Sequence, residues 1–112
     1  MRASLVLFGL VLAAVSARAA EPMGDAKRGQ AVFNTMGCYS CHGAVGQGNG
    51  RDGPRISPPP PYAAIVQQLR SPRYEMPAYV AASVPDQAVA DIHAYLASLP
   101  RTADPKAIKA LQ

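Results

Sequence analysis

No apolar run in this sequence reaches the roughly 20 residues that a bilayer-spanning helix needs, no segment shows sustained apolar–polar alternation, and there is no internal repeat. A strand-built fold and a solenoid are thereby set aside. Nor is there a basic stripe with interleaved aromatics. The formal net charge of +4 includes Arg2 and Arg18 at the extreme N-terminus, and the chain beyond them is closer to neutral, which argues against nucleic acid. Any basic face must be local, built from Lys27, Arg28, Arg51, Arg55, Arg70 and Arg73. At 112 residues the chain holds one small domain at most. Its protein core alone is then only marginally stabilising.

Residues 1–19 differ in character from the rest of the chain. Met1-Arg2 gives a positive start, Leu5 to Val15 is nearly continuously apolar, and Ala17-Arg18-Ala19 fits a small-x-small cleavage site. We read a secretory signal peptide over 1–19 and a single domain over 20–112, located in the periplasm, without stable membrane insertion after cleavage. No cysteine lies near the cleavage point to carry a lipid. In such a compartment a free dithiol tends to oxidise, so the only two cysteines require an explanation.

Helical periodicity covers three stretches. Asp25 to Met36 places Gly29, Val32, Phe33 and Met36 on one face, with Asp25 as cap and Gly37 as stop. Tyr62 to Leu69 carries Tyr62, Ile65, Val66 and Leu69 on one stripe. A third helix is expected from near Ser83, with Asp86 completing a capping box, to Leu99-Pro100; Val89, Ile92, Leu96 and Leu99 form its core face. Gly- and Pro-rich sequence from Gly43 to Pro61 reads as loop, and the SPPPP run as a stiff connector. The tail from Arg101 to Gln112 is expected to add a frayed turn or two. The fold class is all-α.

The segment GCYSCHG at 37–43 carries the chemistry. On a helical turn, residues three and four apart share a face, so Cys38, Cys41 and His42 point the same way. A redox dithiol of the thioredoxin kind needs a βαβ context and leaves His42 without a role. A zinc site would recruit His93 and would still lack a good tetrahedron. A plain disulfide leaves His42 idle as well. Attachment of a c-type haem uses every residue of C-x-x-C-H: two thiols add to two vinyl groups and the imidazole reaches the iron.

The iron's opposite face then needs a ligand or stays open. Met23 sits in a linker, Met36 is too close to the attachment turn, and His93 borders the apolar face of the last helix. Met76 stands in a loop between two helices, backed by Pro77 and flanked by Arg73, Tyr74 and Tyr79. It is the candidate sixth ligand.

With Cys38-Tyr39-Ser40-Cys41-His42, Met76-Pro77, and Gly29 and Phe33 facing Ile92, Tyr95 and Leu96, the chain resembles a small bacterial class I cytochrome c over nearly all of residues 20–112. That resemblance implies three main helices around one covalent haem c, with iron held by His42 and Met76. In the stretch Gly53-Pro54-Arg55-Ile56 it implies that the Pro54 carbonyl accepts a hydrogen bond from the histidine ligand. Arg55, beside it, is the candidate to neutralise a haem propionate. The expected function is electron transfer without catalysis, from a dehydrogenase donor to an oxidase or other respiratory acceptor. The alternatives are a haem subunit of a dehydrogenase complex, and a haem enzyme or gas-binding module with an open sixth site. Pro85, where this family often carries a Ser or Thr cap, is a departure at the start of the last helix.

Overall fold

The computed structural model describes residues 20–101 and Lys109. The proposed signal peptide, and nearly all of the tail, lie outside the described residues. Among the described residues four α-helices follow in chain order: α1 (Ala26–Thr35), α2 (Tyr39–His42), α3 (Tyr62–Arg70) and α4 (Asp86–Ser98). Among the described residues there is no strand.

α1 begins where the sequence signals it. The Asp25 carboxylate accepts the Arg28 backbone N–H at 2.7 Å, satisfying one of the donors a helix start leaves open. The helix ends in a Schellman turn: Gly37, at φ +72°, donates to the Asn34 carbonyl, and Cys38 donates to that of Phe33, both at 3.1 Å. Only a residue that tolerates positive φ completes this turn without strain. Its effect is to throw the chain directly into α2, which is the cysteine–histidine turn.

α1 and α4 cross closely because Gly29 has no side chain, and a Cβ there would overlap the Asp91 carbonyl. Beside the crossing, Phe33 and Tyr95 pack at a ring separation of 5.5 Å with a tilt of 57°. Phe33, Val84, Val89 and Leu96 are essentially inaccessible, and Leu69 and Ile92 complete the core. Each such side chain contributes on the order of 1.5–3 kcal/mol by leaving water.

One boundary differs from the sequence expectation. α4 starts at Asp86 with Pro85 as cap residue, and no side chain caps it. Ser83 instead turns its hydroxyl to the Val80 carbonyl, 3.0 Å away. The reason is Pro85, which disfavours helical backbone in the residue before it. Asp86 is thereby released from the expected capping box and pairs with Arg70 at 2.7 Å.

Buried in the same crossing is a charge that periodicity gave no reason to expect. Asp91 is 3 % exposed. It accepts from Arg28 Nε at 2.9 Å and Arg28 Nη2 at 3.0 Å, from the Asp25 backbone N–H at 2.7 Å and from Gln87 at 3.1 Å. The forked guanidinium, above all, holds this carboxyl below the usual carboxylate range, against an opposing push from burial. Arg28 therefore belongs to the crossing and not to a basic face.

Candidate functional site

On the other side of the core, a cleft of about 1170 Å³ opens between α2, the 47–56 loop, α3 and the 71–80 loop. Its floor is the outer side of Phe33, Leu69, Ile92 and Leu96. All six residues singled out in the sequence line it: Cys38, Cys41, His42, Pro54, Arg55 and Met76.

α2 places the first three together. The His42 N–H reaches the Cys38 carbonyl at 3.0 Å, so one helical turn spans the motif. Cys38 and Cys41 are half-buried free thiols. Burial pushes the Cys38 thiol up, which keeps it neutral near pH 7. Tyr39 and Ser40 are exposed, and Ser40 also lines the edge of the cleft.

The 47–56 loop fixes the histidine ring. Asn49 Oδ1 gathers the backbone N–H groups of Arg51, Asp52 and Gly53 at 3.0, 2.7 and 3.2 Å, folding the loop back on itself. The Gly48 N–H donates to the His42 carbonyl at 2.7 Å and docks that fold on α2. As a result the Pro54 carbonyl lies 2.8 Å from His42 Nδ1. A carbonyl can only accept, so Nδ1 carries the proton and Nε2 keeps its lone pair for a ligand.

Met76 comes from the 71–80 loop, half-buried against the core cluster. Among the described residues it is the one methionine, and His42 the one histidine, that line the cleft. The competing candidates are engaged elsewhere. Met23 is 91 % exposed, the Met36 side chain packs on the core, and His93 Nδ1 pairs with Glu21 at 2.7 Å.

The last turn of α3 holds the Met76 loop at both ends. Arg70 donates to the Tyr79 carbonyl at 2.8 Å, and the Tyr79 N–H returns to the Leu69 carbonyl at 2.8 Å. The Tyr79 hydroxyl, whose pKa burial pushes up so that it stays protonated, reaches the Met36 carbonyl at 3.4 Å. Gln68 holds the other end, bonding the Arg73 carbonyl and the Met76 sulfur. Sequence reasoning missed Gln68 and Arg70 as clamps, because a polar residue on an exposed helical face looks the same whether or not a loop folds over it.

These contacts also correct the expected basic face. Arg51 pairs with Asp52 at 3.0 Å and Arg70 with Asp86, so neither presents an uncompensated charge. Arg55 and Arg73 remain at the cleft wall, with Arg55 Nη1 3.4 Å from the Ser57 carbonyl. Tyr74, next to Arg73, is 99 % exposed at φ +60° and stands at the rim.

A large group with an apolar body suits this cleft, whose volume of about 1170 Å³ exceeds that of ordinary ligand sites. Two free thiols and an imidazole at α2 match the C-x-x-C-H attachment chemistry, and the Met76 thioether lines the same cleft. A zinc site is not supported: among the described residues no group of three or more His, Cys, Asp and Glu is placed to hold a metal ion. The absence of strands among the described residues likewise removes the βαβ setting of a thioredoxin-like dithiol.

An all-α chain with a Gly-mediated crossing of its first and last helices and a C-x-x-C-H turn at the cleft has the class I cytochrome c fold. Residues 24–96 match the family model of cytochrome C oxidase, cbb3-type, subunit III, and the chain belongs to that family. Comparison with curated proteins and with solved structures gives no match. Membership brings a covalently bound haem c with its iron, and a role in haem-based electron transfer through redox partners. No helix among the described residues is long and apolar enough to cross a membrane.

Proposed function

We propose that this protein is a periplasmic single-haem electron carrier in which Cys38 and Cys41 would tether the haem and His42 and Met76 would hold its iron. One observation carries the reading: a histidine with Nε2 available and a loop methionine line the same cleft, and no other histidine or methionine of the described residues does. The haem supplies a one-electron ferrous–ferric couple. Pro54 fixes the tautomer and ring orientation of His42, and second-shell bonds of this kind raise ligand basicity. Met76 offers a soft thioether, which favours the reduced iron and raises the potential. Held by His42 and Met76, the iron would pass an electron without binding substrate. Arg55 meets a propionate, and the rim near Cys38 forms the exchange edge for brief docking over a small interface.

Residues 1–19 act as a cleaved signal peptide, leaving 20–112 as the working domain. It takes electrons from a dehydrogenase and delivers them to an oxidase or other respiratory acceptor. A second reading is favoured by the family description, which names an oxidase subunit: the same haem domain held permanently in an oxidase or dehydrogenase complex. Native mass after gentle extraction separates the two, since a carrier migrates as the single small domain.

The ligation is tested by absorption. Oxidised wild type is expected to show the weak sulfur-to-iron band in the far red, and Met76→Ala to lose it while gaining rapid carbon monoxide binding when reduced. Fast carbon monoxide binding by wild type would instead establish an open sixth site and a gas-binding or peroxidase-like role.

A further inference from the structure

Of residues 47–56, Asn49 alone does not line the cleft, and it is exposed. It nevertheless holds the residue before Pro54 at both its backbone groups. The Asn49 backbone N–H donates to the Gly53 carbonyl at 3.2 Å, and the Gly53 N–H returns to Asn49 Oδ1, also at 3.2 Å. The same oxygen takes the N–H groups of Arg51 and Asp52 at 3.0 and 2.7 Å. Three donors converging on one atom require the amide oxygen there, so Nδ2 is the atom that donates to Asp52, at 3.1 Å. Gly53 in turn is pressed against α2, since a Cβ at this position would overlap the Cys41 carbonyl. Gly48, on the other flank of Asn49, donates its N–H to the His42 carbonyl at 2.7 Å. One side chain thus closes the loop between its two points of contact with the attachment turn.

We infer that Asn49 is a positioning residue for His42: from outside the cleft it holds the Pro54 carbonyl on the ring N–H, and thereby sets the strength of the histidine ligand and the reduction potential. This rests on ligation of the iron by His42. The Pro54 carbonyl, 2.8 Å from Nδ1, follows directly on the Gly53 peptide that Asn49 grips. A loop free to open at Gly53 lets that carbonyl drift from the ring, and the bond is then made for only part of the time. While it is made, it draws the Nδ1 proton toward oxygen and leaves Nε2 more basic. A more basic ligand favours the ferric iron, so the grip of Asn49 lowers the potential.

The variants Asn49→Ala and Asn49→Asp test this in the haem-loaded protein. Alanine removes the acceptor; aspartate keeps it at the same reach and loses only the amide donor to Asp52. Exchange of the His42 ring proton with deuterated solvent, followed by nuclear magnetic resonance of the ferric protein, should quicken about threefold to tenfold in Asn49→Ala, the range one neutral hydrogen bond is worth. In Asn49→Asp it should return toward wild type. The potential, titrated at high salt to screen the added carboxylate, should rise in Asn49→Ala and not in Asn49→Asp. A merely structural role would lower thermal stability in Asn49→Ala while leaving ring-proton exchange and potential unmoved; that result would overturn the inference and leave His42 ligation standing. Aspartate behaving as alanine does would overturn it too, since the acceptor is present in one and absent from the other. A wild-type ring proton without the large shift that a ferric iron gives its ligands would overturn the ligation itself, and the inference with it.

Discussion

Where α1 crosses α4, the chain completes its own packing: Phe33 is fully buried, Gly29 lets backbone meet backbone, and the four hydrogen bonds to Asp91 satisfy the one charge enclosed there. Around the cleft, the same core residues present a second side that the protein does not cover. Cys38, Ile56, Ile65 and Met76 stay half-buried at its margin. A region that closes on itself is a scaffold, and a region that stops short of closing is shaped for a guest. For a small core this division has an energetic corollary, because the haem supplies the apolar contacts the polypeptide leaves unmade.

The largest expected effect comes from withholding the guest. Cys38→Ala combined with Cys41→Ala should give a secreted chain without covalent haem and without cooperative thermal unfolding, because the crossing is too small to stand alone. A compact, helical, haem-free double variant by circular dichroism would show the crossing to be self-sufficient and break the comparison. Gly29→Val attacks the other region. Its side chain must push the Asp91 carbonyl aside, and at least about 3 kcal/mol should be lost in denaturant titration of the haem-loaded protein. Retained wild-type stability would mean that the helices cross with slack.

Acid sharpens the contrast further. The Asp91 carboxyl is held below its ordinary range by Arg28, so it binds protons less readily folded than unfolded. Its stabilisation is fully present above the unfolded value of about 3.9 and is lost as pH falls through the lower folded value. Asp91→Asn should accordingly be less stable than wild type at neutral pH and converge with it in acid; parallel unfolding midpoints across that range would remove Asp91 from the acid response. A milder change links the two regions: Tyr95→Phe deletes the 3.0 Å bond from the Tyr95 hydroxyl to the Ala44 carbonyl, just after the attachment turn. About 1 kcal/mol should be lost with the visible spectrum unchanged. Smallest of all, His93→Gln removes only the partner of Glu21 at the scaffold's edge, and is expected to shift stability by at most about 1 kcal/mol. Loss of the low-spin spectrum in that variant would place His93 at the iron.

Local signals were legible wherever chemistry and backbone share a short stretch. The Asp25 cap, the Gly37 stop and the face shared by Cys38, Cys41 and His42 each depend on atoms within a few residues of one another. The start of α4 was misread by a few residues because Ser83 and Asp86 have the spacing of a capping box while Pro85, between them, overrides it. Asp91 was overlooked for a different reason. Its place between Ala90 and Ile92 acquires meaning only when Arg28 and the Asp25 N–H arrive from a segment more than 60 residues away in the chain.

What the sequence determined by itself was therefore the helical class, the attachment turn and the shortlist of residues able to face an iron, since periodicity and motif spacing are short-range properties. Tertiary structure alone decided which loop meets which helix. It turned Pro54 toward His42, tied Arg70 to Asp86, and set the Gln68 amide against the Met76 sulfur. The physical reason is that each of these contacts joins groups whose partners are set by how the loops close over the core, and an acceptor or a guanidinium carries no mark in the sequence of the donor or carboxylate it will meet.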